Sequence, residues 1–409
     1  MGGGYSGLLT NQPVLFFVQA LLLVIALVIL LPIAIFCCEC FAALFPVQKQ
    51  PGNINLSHSR TAILVPAHNE ALGIATTLKN LLPELTAADQ LVVIADNCND
   101  ETAEIARQLG ATVLERQDSE RRGKGYALDF GLRYLNSNPP DVVVIVDADC
   151  LVSPGTIGRI SELAKRYVRP VQATYLLTRS AQPSPKQAVS VLAFTVKNLV
   201  RPLGLAWFGM PCLLTGTGMA LPWVILDQVS LASSNIVEDM KLALDLAIAG
   251  YPPLLCADVR VTGSLPQQNQ AATSQRTRWE HGHLQTLLTQ VPRLLRAAIQ
   301  QKRFDLLAMA LDLSVPPLSL LVMLWLAAMV VTTIAALFLK ITLPATILAG
   351  AGGLLLIAVL VAWAKFARQD LPFQTLAAIP LYVLWKIPLY FKFLVKPQSK
   401  WVRTERDAK

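Results

Sequence analysis

The chain has 409 residues, 54% of them hydrophobic and only 15% charged, with a formal net charge of +8. That balance is too apolar for an ordinary soluble protein and calls for membrane spans beside a folded domain. The positive charge suits a surface near anionic lipid or an anionic substrate; without a basic stripe interleaved with aromatics it does not indicate nucleic acid. The seven cysteines are odd in number and show no zinc or disulfide spacing, which fits reduced thiols facing the cytosol. Cys37, Cys38 and Cys40 sit at a membrane edge, where small apolar packing explains them more simply than acylation.

Val14–Phe45 is almost entirely apolar and long enough to cross a hydrocarbon core of roughly 30 Å. It lacks the basic leading segment of a cleavable signal peptide. Positive charge follows it, at Lys49 and Arg60, so the span runs from outside to inside and the next residues are expected in the cytoplasm.

Arg60–Pro266 reads as one α/β domain, within a division of the chain at 1–48, 49–300 and 301–409. Thr61–Val65, Leu91–Ala95, Ala111–Leu114 and Val142–Val146 are apolar and β-branched runs expected as strands, with Pro66 breaking the first. Between them, helical spacing appears from Leu72 to Leu82, around Ile105, Ala106 and Leu109 up to Gly110, and over Tyr126–Leu135. This alternation predicts a mostly parallel sheet with helices on both faces. Ala188–Cys212 is apolar but too interrupted for a span; it is expected to lie in the membrane interface or pack beneath the domain. A helix is expected over Glu238–Gly250, a strand over Leu254–Val261, and a polar connection over Gln267–Gln275.

Val315–Leu339 and Leu343–Ala364 are two further spans. Leu371–Val395 is apolar enough to cross but carries Pro372, Pro380, Pro388, Lys386 and Lys392. The tail beyond it is basic, with Lys396, Lys400, Arg403, Arg406 and Lys409. A crossing would place that tail outside, against the positive-inside tendency, so an interfacial or re-entrant segment is expected.

Residues able to carry chemistry collect where strands end. Asp147 and Asp149 follow Val142–Val146; two acids one residue apart can hold a hard divalent cation, and a polar strand cap explains them equally well in isolation. Pro66, Asn69 and Glu70 follow the first strand and can read a base or ribose, with helix capping as the alternative for Asn69. Asp96 ends the second strand; an Asx turn explains Asn99 and Asp100 but leaves Asp96 unaccounted for. Lys124, in Arg121-Arg122-Gly123-Lys124-Gly125 before a helix, can approach phosphate, although the spacing is not that of a P-loop and a solvated loop fits as well. Glu238 and Asp239 open a helix, where the macrodipole favours acids; a carboxylate held there can also act as a general base. Gln275-Arg276-Thr277-Arg278-Trp279 puts arginine, suited to a leaving diphosphate, beside an aromatic floor for a sugar. An amphipathic helix on the membrane surface is the plain alternative. His281 and His283 are expected to be structural.

In this order, Pro66-Ala67-His68-Asn69-Glu70, Asp96, Asp147-Ala148-Asp149, Thr215-Gly216-Thr217-Gly218, Glu238-Asp239 and Gln275-x-x-Arg278-Trp279 resemble the membrane-embedded family 2 glycosyltransferases, which include cellulose, chitin and hyaluronan synthases and ceramide glucosyltransferase. The resemblance covers roughly Arg60–Leu288 and the flanking spans. It implies an A-type nucleotide-diphospho-sugar transferase fold and a nucleotide-sugar donor, a UDP-sugar above all. It further implies that the first turn and Asp96 contact the uridine part, and that Asp147 and Asp149 place Mg2+ or Mn2+ against the diphosphate. Asp239 takes the place of the general base. Gln275, Arg278 and Trp279 close over the donor and shape the acceptor site, and Thr215, Gly216, Thr217, Gly218, Glu238 and Trp279 lie on the acceptor side. A single displacement with inversion is the expected course.

The core looks nearer to the bacterial polysaccharide synthases, whereas the few spans look closer to a lipid glycosyltransferase or to a synthase with export or assembly subunits. Expected together are a multi-pass protein of the bacterial inner membrane, a cytoplasmic site, membrane lipid around the spans and a glycan or lipid acceptor. A transporter or scaffold with a nucleotide-sensing domain would require polar residues inside the spans, and the clear spans carry almost none.

Overall fold

The computed structural model describes residues 12–47, 59–178, 184–232, 237–264, 269–369 and 371–395. Lys49, residues 267–268 of the polar connection and the basic tail from Lys396 lie outside the described residues.

The first apolar segment is one helix, α1 (Gln12–Ala42). The domain follows with β1 (Thr61–Ala67), α2 (Ile74–Leu81), β2 (Gln90–Asp96), α3 (Thr102–Gln108), β3 (Thr112–Arg116), α4 (Lys124–Leu135) and β4 (Val142–Ile145). Side chains alternate across a strand, so consecutive apolar residues in β1 and β4 must enter two different cores. Ile63, Val65, Val142 and Val144 pack with Ile74 and Leu78 of α2. Leu64, Val143 and Ile145 pack on the other face with Ala127 and Leu128 of α4.

Three short or polar strands escape a sequence pattern: β5 (Cys150–Val152), β6 (Val171–Thr178) and β7 (Met219–Pro222). Between them lie α5 (Thr156–Tyr167), α6 (Pro185–Thr195), a π turn at Val196–Val200 and α7 (Arg201–Trp207). α8 (Glu238–Ile248) and β8 (Leu254–Ser264) complete an eight-stranded sheet in the order β3-β2-β1-β4-β7-β6-β8-β5. β1, β2, β3 and β4 pair in parallel, as does β6 with β8; β7 runs antiparallel to β4 and β6, and β5 antiparallel to β8. The sheet is therefore mixed, with its parallel half where the alternating pattern was read. β1 also runs two residues beyond its expected end at Val65. Its ladder to β4 stops at Leu64, so Pro66 lies where only β2 still pairs.

α9 (Asn269–Gln301) absorbs the described part of the expected polar connection. α10 (Phe304–Ser314), α11 (Leu318–Leu339), α12 (Leu343–Phe366), a 3-10 turn and α13 (Ile379–Val395) follow. Five helical stretches among the described residues are long and apolar enough to cross a membrane: α1, Pro185–Trp207, α11, α12 and Phe373–Val395. Their burial separates them: Pro185–Trp207 is 67% buried over its most apolar window, the other four 22–33%. Pro185–Trp207 thus packs beneath the domain, one of the two placements its interrupted sequence suggested. Its Ala188, Leu192 and Val196 share a core with Ile33 and Phe36 of α1 and Leu355 and Ala358 of α12.

Two features tie domain to helices. Arg201 of α7, buried, donates from Nε to Glu39 of α1 (2.5 Å) and from Nη2 to Asp312 of α10 (2.5 Å). Gly204 lies so close to α1 that a Cβ would stand 2.1 Å from the Glu39 carbonyl oxygen.

Candidate active site

The carboxyl ends of β1, β2 and β4 open together, as expected of parallel strands joined by crossovers. At the end of β1 the chain turns through Asn69, whose φ is +54°. Asn69 Oδ1 accepts the Asn99 backbone N–H at 2.8 Å, and Glu70 N–H is received by Thr102 Oγ1 at 2.7 Å. His68 donates from Nδ1 to the Asp96 carbonyl (2.6 Å), binding the β1 and β2 ends to each other. Asp96 is buried and accepts from Arg116 Nη1 at 2.6 Å and from Asn97 Nδ2 at 3.0 Å. Burial pushes its pKa up while the Arg116 guanidinium pulls it back.

At the end of β4, Cys150 N–H donates to the Asp147 carbonyl (3.0 Å), closing a tight turn that brings the Asp147 and Asp149 carboxylates to one side. Their oxygens and the Cys150 sulfur lie within 4.8 Å of one another. Two carboxylates are the donor set of a hard cation; the buried thiol, pushed up in pKa by its surroundings, is not. Lys124, at the start of α4, pairs with Asp147 and donates to the Gly216 carbonyl at 2.7 Å. Burial alone would lower its pKa, but Asp147, Glu238 and Asp239 together raise it. Three carboxylates act on this one ammonium, and the Asp149 carboxylate lies beside Asp147, so a divalent cation there would offset negative charge.

The segment Thr215–Gly218 runs between these groups and the start of α8. Thr217 is fully buried and receives the Asp147 backbone N–H on Oγ1 (3.1 Å). Gly216 and Gly218 have φ of +88° and +65°. A Cβ on Gly216 would stand 3.2 Å from Asp239 Oδ2 and 3.4 Å from Lys124 Nζ, so this glycine lets the turn close against these two charges. Gln172 of β6 holds the turn from below, donating to the Thr217 carbonyl (2.9 Å) and accepting from Thr215 N–H (2.9 Å).

Glu238 and Asp239 begin α8, and Asp239 Oδ1 accepts the Met240 N–H at 2.8 Å. Burial pushes Asp239 above the usual carboxylate range, against the pull of Lys124. Burial, then the Asp239 charge, carries Glu238 to about 7.

From α9 come Gln275, Arg276, Arg278 and Trp279. Trp279 meets Phe194 of α6 at 5.6 Å between ring centroids, and Phe194 meets Tyr175 of β6 edge-on at 5.1 Å. Gln275 Oε1 and Thr215 Oγ1 are buried and have no hydrogen-bond partner among the described residues, an arrangement that wants a bound group. Glu280, next along α9, pairs with the fully buried Lys386 of α13 and accepts from Tyr390 (2.5 Å). Of the two histidines, His283 lines the cavity and His281 does not. His281 Nε2 meets the Leu389 carbonyl at 3.0 Å, and burial drives the pKa of His283 far down.

One cavity of about 450 Å3 joins these groups. Pro66, Glu70, Asp96, Lys124, Asp147, Asp149, Thr215, Gly216, Glu238, Asp239, Gln275, Arg278 and Trp279 all line it. Asn69, Thr217 and Gly218 do not: the first braces the β1 turn, the second the Asp147 backbone, and Gly218 donates to the Ile145 carbonyl (2.8 Å) at a close approach to β8. Sequence reasoning missed Arg116, Tyr175, Phe194 and Lys197, the last three of which line the same cavity. Arg116 ends a strand beside Asp96, so its position was a signal; the others sit in segments without a clear pattern.

A sequence model for the family described as "Glycosyltransferase like family 2" matches residues 58–282, more than half of the chain. A 4,4'-diaponeurosporenoate glycosyltransferase of Staphylococcus aureus is 31% identical over 105 residues, 25% of this chain and 27% of the relative. The match thus spans about a quarter of the length of the curated relatives. Among solved structures, a mannosyltransferase of Pyrobaculum calidifontis in complex with GDP-Man and Mn2+ aligns over 90% of this chain and 99% of its own, at 19% identity and a TM-score of 0.49. A glucosyl-3-phosphoglycerate synthase of Mycobacterium tuberculosis in complex with Mn2+ and UDP aligns over 52% and 79%, at 19% identity and a TM-score of 0.36.

Proposed function

We propose that this chain, which belongs to glycosyltransferase-like family 2, is an integral-membrane enzyme that moves a sugar from a UDP-sugar to a hydroxyl acceptor by a metal-dependent, inverting displacement, in the assembly of an extracellular or cell-envelope glycan. One observation carries the reading. A carboxylate pair at a strand end, Asp147 and Asp149, shares a single cavity with a separate, half-buried carboxylate, Asp239, and Lys124 stands among them.

Asp147 and Asp149 would hold Mg2+ or Mn2+, which supplies positive charge to the departing diphosphate. Lys124 adds a second cation to that side and keeps its proton throughout. Asp96 and the β1 turn receive the nucleoside, and Gln275, Arg278 and Trp279 close over the donor. Asp239 takes the proton from the acceptor hydroxyl as its oxygen attacks the anomeric carbon. The bond to the diphosphate breaks on the opposite side, which inverts the centre. The separation of roles follows from burial: a base is useful near neutrality when its pKa is raised, and Asp239 is.

α1, α11 and α12 read as spans with the domain on the cytoplasmic side of a bacterial inner membrane. α13 reads as an interfacial helix, its Lys386 turned inward to Glu280. The experiment is incubation of membranes with a panel of labelled UDP- and GDP-sugars, with and without Mn2+, followed by NMR of the product's anomeric configuration. Turnover of a UDP-sugar with inversion is expected. Turnover without divalent metal, or with retention, defeats the mechanism.

A further inference from the structure

The cavity does not end at Asp239. Besides the polar groups it is lined by apolar side chains of the flanking helices: Phe36 of α1, Leu192 of α6, Val322 of α11, Val359 of α12, and Ile379 and Val383 of α13. Five separate helices therefore contribute to one continuous space with the carboxylates. Four of them belong to stretches that are apolar enough to cross a membrane and are mostly exposed on their outer faces. Phe36 lies near the end of α1, Val322 near the start of α11 and Val359 near the end of α12, so the chamber sits at the domain-side ends of these helices, where a bilayer would meet the domain.

At the junction stands Lys197, on the π turn Val196–Val200. A π turn inserts one residue too many into a helix and turns its side chains off the regular spiral, and such turns gather at functional sites. Lys197 lines the cavity and makes no hydrogen bond or ion pair with a described residue; burial and the Arg201 charge work against its ammonium, and the charges of Asp239, Asp312 and Glu280 support it. An ammonium so placed, beside the base, suits the polar head of an incoming acceptor.

We infer that the acceptor is an amphiphile: its hydroxyl head lies between Asp239 and Lys197, and its apolar chain fills the chamber. The inference rests on the glycosyl-transfer reading and names its second substrate. A growing glycan would instead place hydroxyls against Phe36, Leu192 and Val322, which offer them no partner, while the Ser190 and Ser319 hydroxyls on the same wall are already bonded to Tyr382 and Tyr390. Those walls fit methylene or isoprenoid carbons entering sideways from the bilayer, with only the reactive oxygen reaching the carboxylates.

The test uses the full chain in phospholipid nanodiscs and a long-chain probe, hexadecanol bearing a diazirine at its far end. Photolabelling is expected on peptides of α6, α11 and α12, competed by hexadecanol at least tenfold better than by octanol. Val322→Trp, which fills the chamber, is expected to cut labelling at least tenfold with UDP affinity held within twofold. Val359→Phe repeats the measurement from α12 should the first variant not fold. Lys197→Met is expected to erase the preference for hexadecanol over hexadecane as competitor. Labelling spread over the outer helix faces and unchanged by either chamber variant would overturn the inference. So would sugar transfer to a water-soluble oligosaccharide that Val322→Trp leaves intact. Loss of UDP binding in the unaltered protein would instead strike the glycosyl-transfer reading, and the labelling pattern would still decide the chamber.

Discussion

Asp239→Asn removes one proton acceptor and one charge while keeping the shape. Asparagine retains an oxygen to accept the Met240 N–H, now at 2.8 Å, so the start of α8 should hold. What goes is basicity, and loss of a positioned general base typically costs about 10²–10⁴ in rate, about 3–5 kcal/mol of transition-state stabilisation. A second effect follows from the neighbours. The Asp239 charge is the largest cause, after burial, of the rise of Glu238 to about 7. Without it Glu238 ionises at lower pH and becomes the nearest substitute base. The variant should therefore bind UDP with near-normal affinity, transfer sugar at least about a hundredfold more slowly, and show its residual rate with an acid limb set by Glu238 instead of Asp239. In the unaltered enzyme the sign is clear: a base with a raised pKa is protonated as pH falls toward it, so kcat/KM drops on the acid side. The assay is product formation from labelled UDP-sugar across pH, with UDP affinity measured by calorimetry. A kcat within twofold of the parent, or an unshifted acid limb, refutes the assignment.

Asp149→Ala should weaken donor binding at least tenfold in the presence of Mn2+ and leave the metal-free affinity unchanged; equal loss in both conditions would remove the metal role. Gly218→Ala forces a side chain into a φ of +65° with its Cβ 2.5 Å from Val261 Cγ2. It should cost about 1–3 kcal/mol, read as a lowered Tm. Lys386→Met leaves Glu280 facing an apolar helix and should destabilise by up to about 3–5 kcal/mol. The double variant Lys386→Met/Glu280→Gln should recover most of that, and a simple sum of the two single losses would show the pair to be uncoupled.

The half of the sheet that the sequence displays is the half buried on both faces. Val142–Ile145 and Leu91–Ala95 are continuous apolar runs because no face of those strands meets water. β5 and β7, at three and four residues, are too short to express a period. β6 carries Gln172, a polar residue buried because it serves the Thr215–Gly218 turn rather than the core. The site was legible to the extent that strand ends are: Asp96, Asp147 and Asp149 stand where apolar runs stop. Groups that meet only through the fold were not. Lys386 read as an obstacle to a membrane helix, and its reason, Glu280, lies 106 residues away. Asn69, Thr217 and Gly218 belong to the motifs but act on the backbone beneath the cavity, a difference that spacing alone does not express.

Arg201 gives the molecule a fixed draught, as a moored hull has. Its guanidinium joins α7 to α1 and α10 at once, and the bare backbone of Gly204 lies against the Glu39 carbonyl, so the domain has no hinge there on which to tilt. The height of Asp239 above the root of α1 is thereby set by packing rather than by a tether. An acceptor must come to that plane; the enzyme does not reach for it. Replacing α1 by a tether of equal length would leave Arg201 short of one carboxylate and the cavity's carboxylates at no fixed height.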